Sequence, residues 1–497
     1  MADSPWQAIL RHRFLLAVLL AHGALWAAAG AFVSPHPDYI DHWVTSRVWS
    51  LSYFEHPPMV AWVIKALVAV VGSSDAGLRA AALLMNLALL ALIYAFTARR
   101  FGLLAGKLTL LGLETTVFFT SKSLSLQTEQ PLVLFWVAAL WAWLNYLDTG
   151  RARWILAAGA LAGLGALSKY TMVLFYLGLL AYALLVRGRR RELANPWQYA
   201  GGLLALAVFL PVLIWNYQHD WVSFRFQLSK GGADPNVPFG LSSANFLLGT
   251  AFFYSPVLFV WGLWRMGRAL ARDGLADGAQ TLLAVLTFLP LLFFAAAVAR
   301  SEYADPHWGV LSAVCLLAWL GKDLAGLVAA GRGRRVAMLI GAALAVNVAL
   351  LGLVAAHTWR PFLPIVPDYD PTRQVVGWRE AGVETEALLA RNGLPAPRYV
   401  LSYFYALGSQ FALHLPSQPL PYSFSRERRN VWVNPAEVRG DNAFVVCEGD
   451  GQGDDCRWMR ERMRERFGWP SLKALGTVQP VVWGTPRQKV TVLVRGE

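Results

Sequence analysis

Three cysteines in 497 residues exclude a disulfide-built scaffold and make no zinc-ligand set. Charge is scarce too: Asp, Glu, Lys and Arg form only 15% of the chain, against roughly a quarter in soluble domains. No Rossmann-type glycine fingerprint, internal repeat or long low-complexity tract is present. No small-x-small cleavage site follows the first apolar stretch, which reads as a retained signal-anchor. What is abundant is apolar: 56% hydrophobic residues, 22 tryptophans and a mean hydropathy of +0.42. That balance excludes an ordinary soluble enzyme and predicts a polytopic α-helical membrane protein. The net charge of +13 is spread in short basic runs between apolar segments, so nucleic acid is excluded as a partner. Cys315 sits in an apolar run and reads as packing. Cys447 and Cys456 flank a Gly/Asp-rich loop, where a disulfide is expected if that part is exported.

Apolar runs fall near 14–33, 79–98, 104–120, 131–147, 155–168, 170–186, 198–216, 244–263, 279–298, 308–321 and 336–356, predicting about eleven spans. Alternate loops hold about eighteen basic residues, among them Arg99, Arg189 and Arg335, against roughly eight in the others. The richer face is read as cytoplasmic. Residues 57–73 are read as an amphipathic helix at the outer interface, because a span there would invert every later basic loop. The polar loops at 34–56, 121–130, 217–243 and 300–307, with Lys169, then share the external face. Composition changes near 357. Residues 372–392 read as a helix, and 399–402, 443–446 and 489–494 as strands, predicting a small α/β domain at 357–497.

The densest polar cluster follows the first span. Pro35-His36-Pro37-Asp38-Tyr39-Ile40-Asp41-His42-Trp43 is succeeded by Ser46-Arg47 and then Tyr53-Phe54-Glu55-His56-Pro57-Pro58. Charge beside a bilayer is costly and usually functional. This stretch resembles the first extracytoplasmic loop of GT-C glycosyltransferases related to protein O-mannosyltransferases and the lipid A aminoarabinose transferase. The resemblance places Asp38 on the catalytic Asp of that family, with Trp43, Ser46 and Arg47 in register and Tyr39 in place of the usual Glu. It implies a GT-C transmembrane catalytic domain over 1–356, with interfacial helices at about 34–73. It further implies inverting sugar transfer from a polyprenyl-phosphate donor to a hydroxyl or phosphate of lipid A, a glycan or a protein. Asp38 would be the base and Asp41 its reserve. The plainer reading of Asp38 is a cap for the short helix after Pro37.

Other groups extend the pattern. Lys169, followed by Tyr170 and preceded by Gly159, Gly163 and Gly165, is similar to the Ser/Thr-Lys of the family. A lone ammonium there favours a phosphate partner, or else snorkels to the headgroups. Arg47, His56 and Arg225 are further candidates for the lipid phosphate. Residues 215–227, with His219, Asp220 and Trp221, resemble the Trp-Asn-x-x-His-x-Trp-x-Ser-Phe segment of the family, although tryptophans there would also suit an interface belt. Where the family has an acid at the external start of the fourth span, this chain has Gln130, with Glu129 as the candidate substitute. Glu302, His307 and Trp308 form a further cluster. Glu55, His56 and His307 are candidate ligands of a divalent ion, against hydrogen-bonded loop histidines. Competing readings are a lipid or glycan transporter or flippase, and a non-catalytic subunit that binds lipid-linked glycan. Crowding of the polar groups on one face and the lack of a repeat favour the enzyme. The sequence thus predicts a multi-pass bacterial inner-membrane protein, its active site and tail periplasmic.

Overall fold

The computed structural model describes residues 5–229, 236–275, 278–301, 304–365, 370, 372–425, 430 and 433–496. Lipid offers the backbone no hydrogen-bonding partner, so apolar segments satisfy their amides internally as helices. Among the described residues six helical runs are long and apolar enough to cross a membrane: His12–Gly30, Asp75–Phe101, Glu129–Thr149, Pro196–Gln218, Ala279–Ala297 and Pro306–Trp359. The last is two helices, Val310–Leu327 and Gly333–Trp359, parted where Gly331 takes φ +78°. Met59–Val71, Ala152–Ala166 and Tyr170–Leu185 are shorter apolar helices.

Two expected spans are not straight. The run at 244–263 is Leu241–Phe253 followed by Pro256–Asp273 at 110°. Ser255 precedes a proline, whose ring disfavours the helical conformation there, and it leaves the helical region (φ 73°). The run at 104–120 divides into Leu103–Glu114 and Val117–Ser121. At that break the hydroxyls of Thr115 and Thr116 donate to the carbonyls of Gly112 and Leu113. By length and composition the helices give six spans, or seven with the bent pair taken as one, against the eleven read from the sequence. The difference lies in short and broken segments.

The chain packs as two compact units. The first comprises 1–25, 51–60 and 83–351. Its core is aromatic, with Phe118, Phe119, Trp136, Trp143 and Tyr182 buried among leucines. The glycines before Lys169 pack helices closely. A Cβ on Gly159 would lie 2.2 Å from the carbonyl oxygen of Gly201, so the helices Ala152–Ala166 and Pro196–Gln218 approach backbone to backbone there.

The second unit comprises 26–50, 61–82 and 352–497, so the first acidic loop packs with the tail rather than with the span-rich unit. Its sheet contains β1 (Tyr399–Ser402), β2 (Leu420–Ser423), β3 (Ala443–Glu448), β4 (Leu472–Val478) and β7 (Val490–Arg495), in the order β2-β1-β3-β7-β4. The β2-β1-β3 half is parallel, and β7 pairs antiparallel with both β3 and β4. A separate hairpin joins β5 (Val481–Val482) and β6 (Thr485–Pro486). Both faces of the larger sheet are covered, as parallel strands require. Val400, Phe444, Val446 and Val492 face Trp378 and Phe411 of the helices Trp378–Arg391 and Tyr405–His414. Leu401, Val445 and Leu493 face Met459 and Met463 of the helix Asp454–Phe467. The expected strands recur within two residues. The expected helix at 372–392 starts only at Trp378, because Gly377 takes φ 89°. Cys447 of β3 and Cys456 of the Asp454–Phe467 helix form a disulfide.

Candidate active site

In the second unit, the helix Pro37–Ser46 carries the acidic loop. Its N-cap is His36, whose Nδ1 accepts from the Asp38 amide at 3.3 Å, and Pro37 fills the first turn where no N–H is needed. Capping therefore does not occupy the Asp38 carboxylate, which is 44% exposed and accepts from the Tyr405 hydroxyl at 2.5 Å. Asp41, one turn on, is 4% exposed, as befits a residue on the buried face with His42. Of the two acids, Asp38 is the accessible one.

Tyr39, in the position of the usual Glu, is fully buried and donates to the carbonyl of Leu78 at 2.6 Å. Burial raises its pKa, so it is a neutral phenol that pins this helix to the one beginning at Asp75. The Arg47 guanidinium lies over the Trp43 ring at 5.2 Å and donates to the carbonyl of Pro419 at 3.4 Å. Arg379, in the tail, pairs with Asp75 at 2.5 Å, and Asp75 also holds Arg79 at 2.6 Å.

The first unit holds a second cluster. Glu129 opens the helix Glu129–Thr149, and its Oε1 lies 2.7 Å from Lys169 Nζ and 3.2 Å from His307 Nε2. The other nitrogen of His307 lies 2.5 Å from Asp305 Oδ1, and the Tyr254 hydroxyl donates to the His307 carbonyl at 3.1 Å. An imidazole with a carboxylate at each nitrogen can donate to both only as the imidazolium. Two acids and two cations then balance in a partly buried setting, with Glu129 3%, Lys169 15%, His307 23% and Asp305 28% exposed. The sequence left the Lys169 ammonium to a phosphate; the structure gives it a protein carboxylate as partner.

Sequence reasoning missed three members of these clusters. Asp305 caps the turn Pro306–Gly309 by accepting from the His307 amide at 3.1 Å, and the Asp-Pro pair was a legible signal for it. Lys122 is buried, donates to Gln127 and contributes positive charge at Glu129. Tyr405 carries no local signal at all. Gln130 is fully buried and braces the loop, donating to the carbonyl of Ser125 and accepting from the Gln127 amide at 2.9 Å. The acid here is Glu129.

Residues 215–227 close around the same region of this unit. The Tyr170 hydroxyl bonds Ser223 at 2.7 Å, Gln227 donates to the carbonyl of Glu55, and the rings of Phe54 and Phe226 meet at 4.7 Å. The Met59 amide donates to the carbonyl of Leu167 at 2.9 Å, which sets the His56-Pro57-Pro58 turn beside the Lys169 segment. His219 stacks on Trp215 at 4.0 Å. Asp220 and Trp221 both take left-handed φ (53° and 58°), a conformation that costs free energy in non-glycine residues and recurs at functional loops. Arg225 is exposed on the helix Val222–Ser229. Glu302 lies outside the described residues.

Glu55, His56 and His307 do not form the expected metal set. Among the described residues no three His, Cys, Asp or Glu side chains are grouped to hold an ion, and both nitrogens of His307 already face carboxylates.

The arrangement offers an accessible carboxylate able to take a proton and, separately, a compact set of cations able to face an anion. Comparison with known proteins finds likeness over part of the sequence and over the fold. Residues 55–215 match the dolichyl-phosphate-mannose-protein mannosyltransferase family. Lipid A galacturonosyltransferase RgtD of Rhizobium johnstonii is 29% identical over 309 residues, a match spanning 57% of this chain and 60% of that relative. The crystal structure of ArnT from Cupriavidus metallidurans in the apo state is similar with a TM-score of 0.57 at 17% identity, covering 96% of this chain and 97% of that one. ArnT bound to undecaprenyl phosphate gives a TM-score of 0.56 at 17% identity over the same shares. The chain thus shares the fold of the ArnT structures, and its residues 55–215 match the mannosyltransferase family.

Proposed function

We propose that this chain transfers a sugar from a polyprenyl phosphate to an acceptor hydroxyl or phosphate, with inversion at the anomeric carbon. In the proposed step the acceptor oxygen bonds to the anomeric carbon while the bond from that carbon to the phosphate oxygen breaks. The acceptor proton passes to the Asp38 carboxylate, and the leaving phosphate keeps the electron pair. A transition state of oxocarbenium character is served by a carboxylate on the acceptor side and by cations on the departing phosphate. Lys169 is the proposed phosphate contact, with Glu129 holding its ammonium in place and His307 and Lys122 adding positive charge.

The observation that carries this reading is the Glu129–Lys169–His307 cluster. Replacing buried ion pairs by apolar residues often stabilises proteins, so stability alone gives little reason for such a cluster in an apolar helix bundle. The RgtD relative supports a lipid A type of acceptor, and the undecaprenyl phosphate of the ArnT structure supports a polyprenyl carrier. We place the reaction at the external face of the bacterial inner membrane, where nucleotide sugars are scarce and lipid-linked donors serve instead.

The test incubates purified wild-type and Asp38→Asn protein with polyprenyl-phosphate sugars and lipid A, glycan or peptide acceptors. Transfer by the wild type that is lost in the variant supports the proposal. Donor movement across a vesicle without transfer assigns a transporter, and donor binding alone an accessory subunit.

A further inference from the structure

A further cavity in the first unit, lined by no residue of the Glu129 cluster, lies between the helices Pro256–Asp273, Val310–Leu327 and Gly333–Trp359. There a cavity of about 240 Å³ is lined by Trp261, Trp264, Arg265, Arg332 and Arg335, with aliphatic side chains such as Leu324 and Leu339. This is room for several waters or a small polar headgroup. Three guanidiniums in one cavity of an apolar bundle call for an anionic occupant.

Only one of the three is neutralised internally. Arg265 makes a two-point bond with Asp323, at 2.7 Å and 3.0 Å, and lies over the Trp261 ring at 5.7 Å. Arg332 and Arg335 are exposed and carry no ion pair among the described residues. They sit three residues apart where Gly331 breaks the run of helix, so the break points both guanidiniums at the same mouth. The rest of the lining is aliphatic or indole, and Trp264 is 52% exposed at the rim with Arg268 over its ring at 5.0 Å. Free phosphate would gain nothing from that apolar half, whereas an amphiphile fits both halves. Basic pockets between membrane helices, flanked by tryptophan, suit phospholipid headgroups.

We propose that this cavity binds the headgroup of an anionic phospholipid. Its phosphodiester oxygens accept from Arg332 and Arg335, its acyl chains run along the leucines, and the ion pair of Arg265 with Asp323 forms the floor. The site is independent of the sugar-transfer reading.

The full-length protein, delipidated in detergent, is titrated with phosphatidylglycerol or phosphatidylcholine of matched chains and bound lipid is counted by native mass spectrometry. Phosphatidylglycerol is expected to be retained and phosphatidylcholine not. The double variant Arg332→Gln/Arg335→Gln should weaken retention roughly 30-fold, from ~1 kcal/mol per basic group. Arg334→Gln removes one charge, as Arg332→Gln alone does, from a neighbouring residue outside the cavity and should leave retention unchanged. Arg332→Gln alone, at the exposed turn, covers the case of a poorly folded double variant and should weaken retention about fivefold. Equal retention of the two lipids, an equal loss with Arg334→Gln, or displacement of the lipid by millimolar inorganic phosphate would each overturn the proposal.

Discussion

The Tyr405 hydroxyl donates to Asp38 Oδ1 at 2.5 Å across 367 residues of sequence, so a tail residue orients the carboxylate of the first loop. The bond engages Oδ1, while Oδ2 faces His36 Nδ1 at 3.7 Å. If Asp38 is the base, Asp38→Asn should lower kcat about 10³-fold, since general-base catalysis contributes roughly 10²–10⁴-fold. Tyr405→Phe should lower kcat about tenfold with KM for the donor nearly constant, because it removes orientation without removing the base. Both variants should keep the wild-type melting temperature within a few degrees. Unchanged turnover in Asp38→Asn would remove the residue from the mechanism.

The disulfide gives a prediction about both stability and compartment. Cys447 and Cys456 lie nine residues apart, joining a central strand to the helix packed on it. Closing a loop of that length is worth about 2–3 kcal/mol on chain-entropy grounds. Cys447→Ser/Cys456→Ser should lower the melting temperature of the tail by several degrees. Protein isolated from cells with thiols blocked should show only Cys315 as a thiol, provided the tail folds in an oxidising compartment. Full labelling of Cys447 in native membranes would refute the external placement of the tail.

Periodicity and composition reach local structure, and the structure marks where they stop. The strands read at 399–402 and 443–446 were legible because Tyr, Val, Leu and Phe run uninterrupted between polar turns, as in a sheet buried on both faces. The helix Asp454–Phe467 was not legible: five arginines among its fourteen residues mask the apolar stripe of Cys456, Met459 and Met463. The kink at Ser255 could have been read from Pro256, yet an unbroken hydropathy profile concealed it. For the site, motif register found Asp38, Glu129, Lys169 and His307 singly. The grouping of the last three was beyond reach, because Glu129 and Lys169 are forty residues apart and meet only through helix packing. Tyr39 looked like the loss of a catalytic acid. Its buried bond to Leu78 shows a structural use instead, in which a phenol satisfies a carbonyl that a carboxylate could not.

A pH response follows from the tail segment after the last span. His357 Nδ1 accepts from the amides of Phe362 and Leu363, at 3.0 Å and 3.1 Å, which leaves Nε2–H to donate to Asp370 Oδ2 at 3.3 Å. Burial pushes the Asp370 carboxyl up, but hydrogen bonds from the hydroxyl and amide of Thr372, with His357, outweigh it and hold the group below the usual carboxylate range. A carboxyl whose folded pKa lies below its unfolded value contributes stability at higher pH and loses it as pH falls through the folded value. The contribution should therefore be complete above about pH 5 and fade below about pH 4. Asp370→Asn should cost about 1 kcal/mol at pH 7, and the gap in melting temperature from wild type should close on acidification. A gap independent of pH would mean that the side chain acts through packing alone.

The pair of Lys169 with Glu129 separates structural from catalytic use of the same charges. Each partner removed singly unbalances a mostly buried charge cluster, at a cost of up to about 3–5 kcal/mol, less for Lys169 because His307 and Lys122 remain beside Glu129. Lys169→Met and Glu129→Gln should therefore each lower the melting temperature sharply. The double variant should be more stable than the sum of the two losses implies, with a coupling of about 1–3 kcal/mol, because neither charge is then stranded. Activity should behave in the opposite way. If Lys169 contacts the donor phosphate, restoring stability in the double variant should restore no turnover, and its KM for the polyprenyl-phosphate sugar should stay at least tenfold above wild type. Recovery of turnover along with stability would show that the pair merely holds the helix ends together, and the phosphate contact would have to be sought at another cation, Lys122 being the first to test.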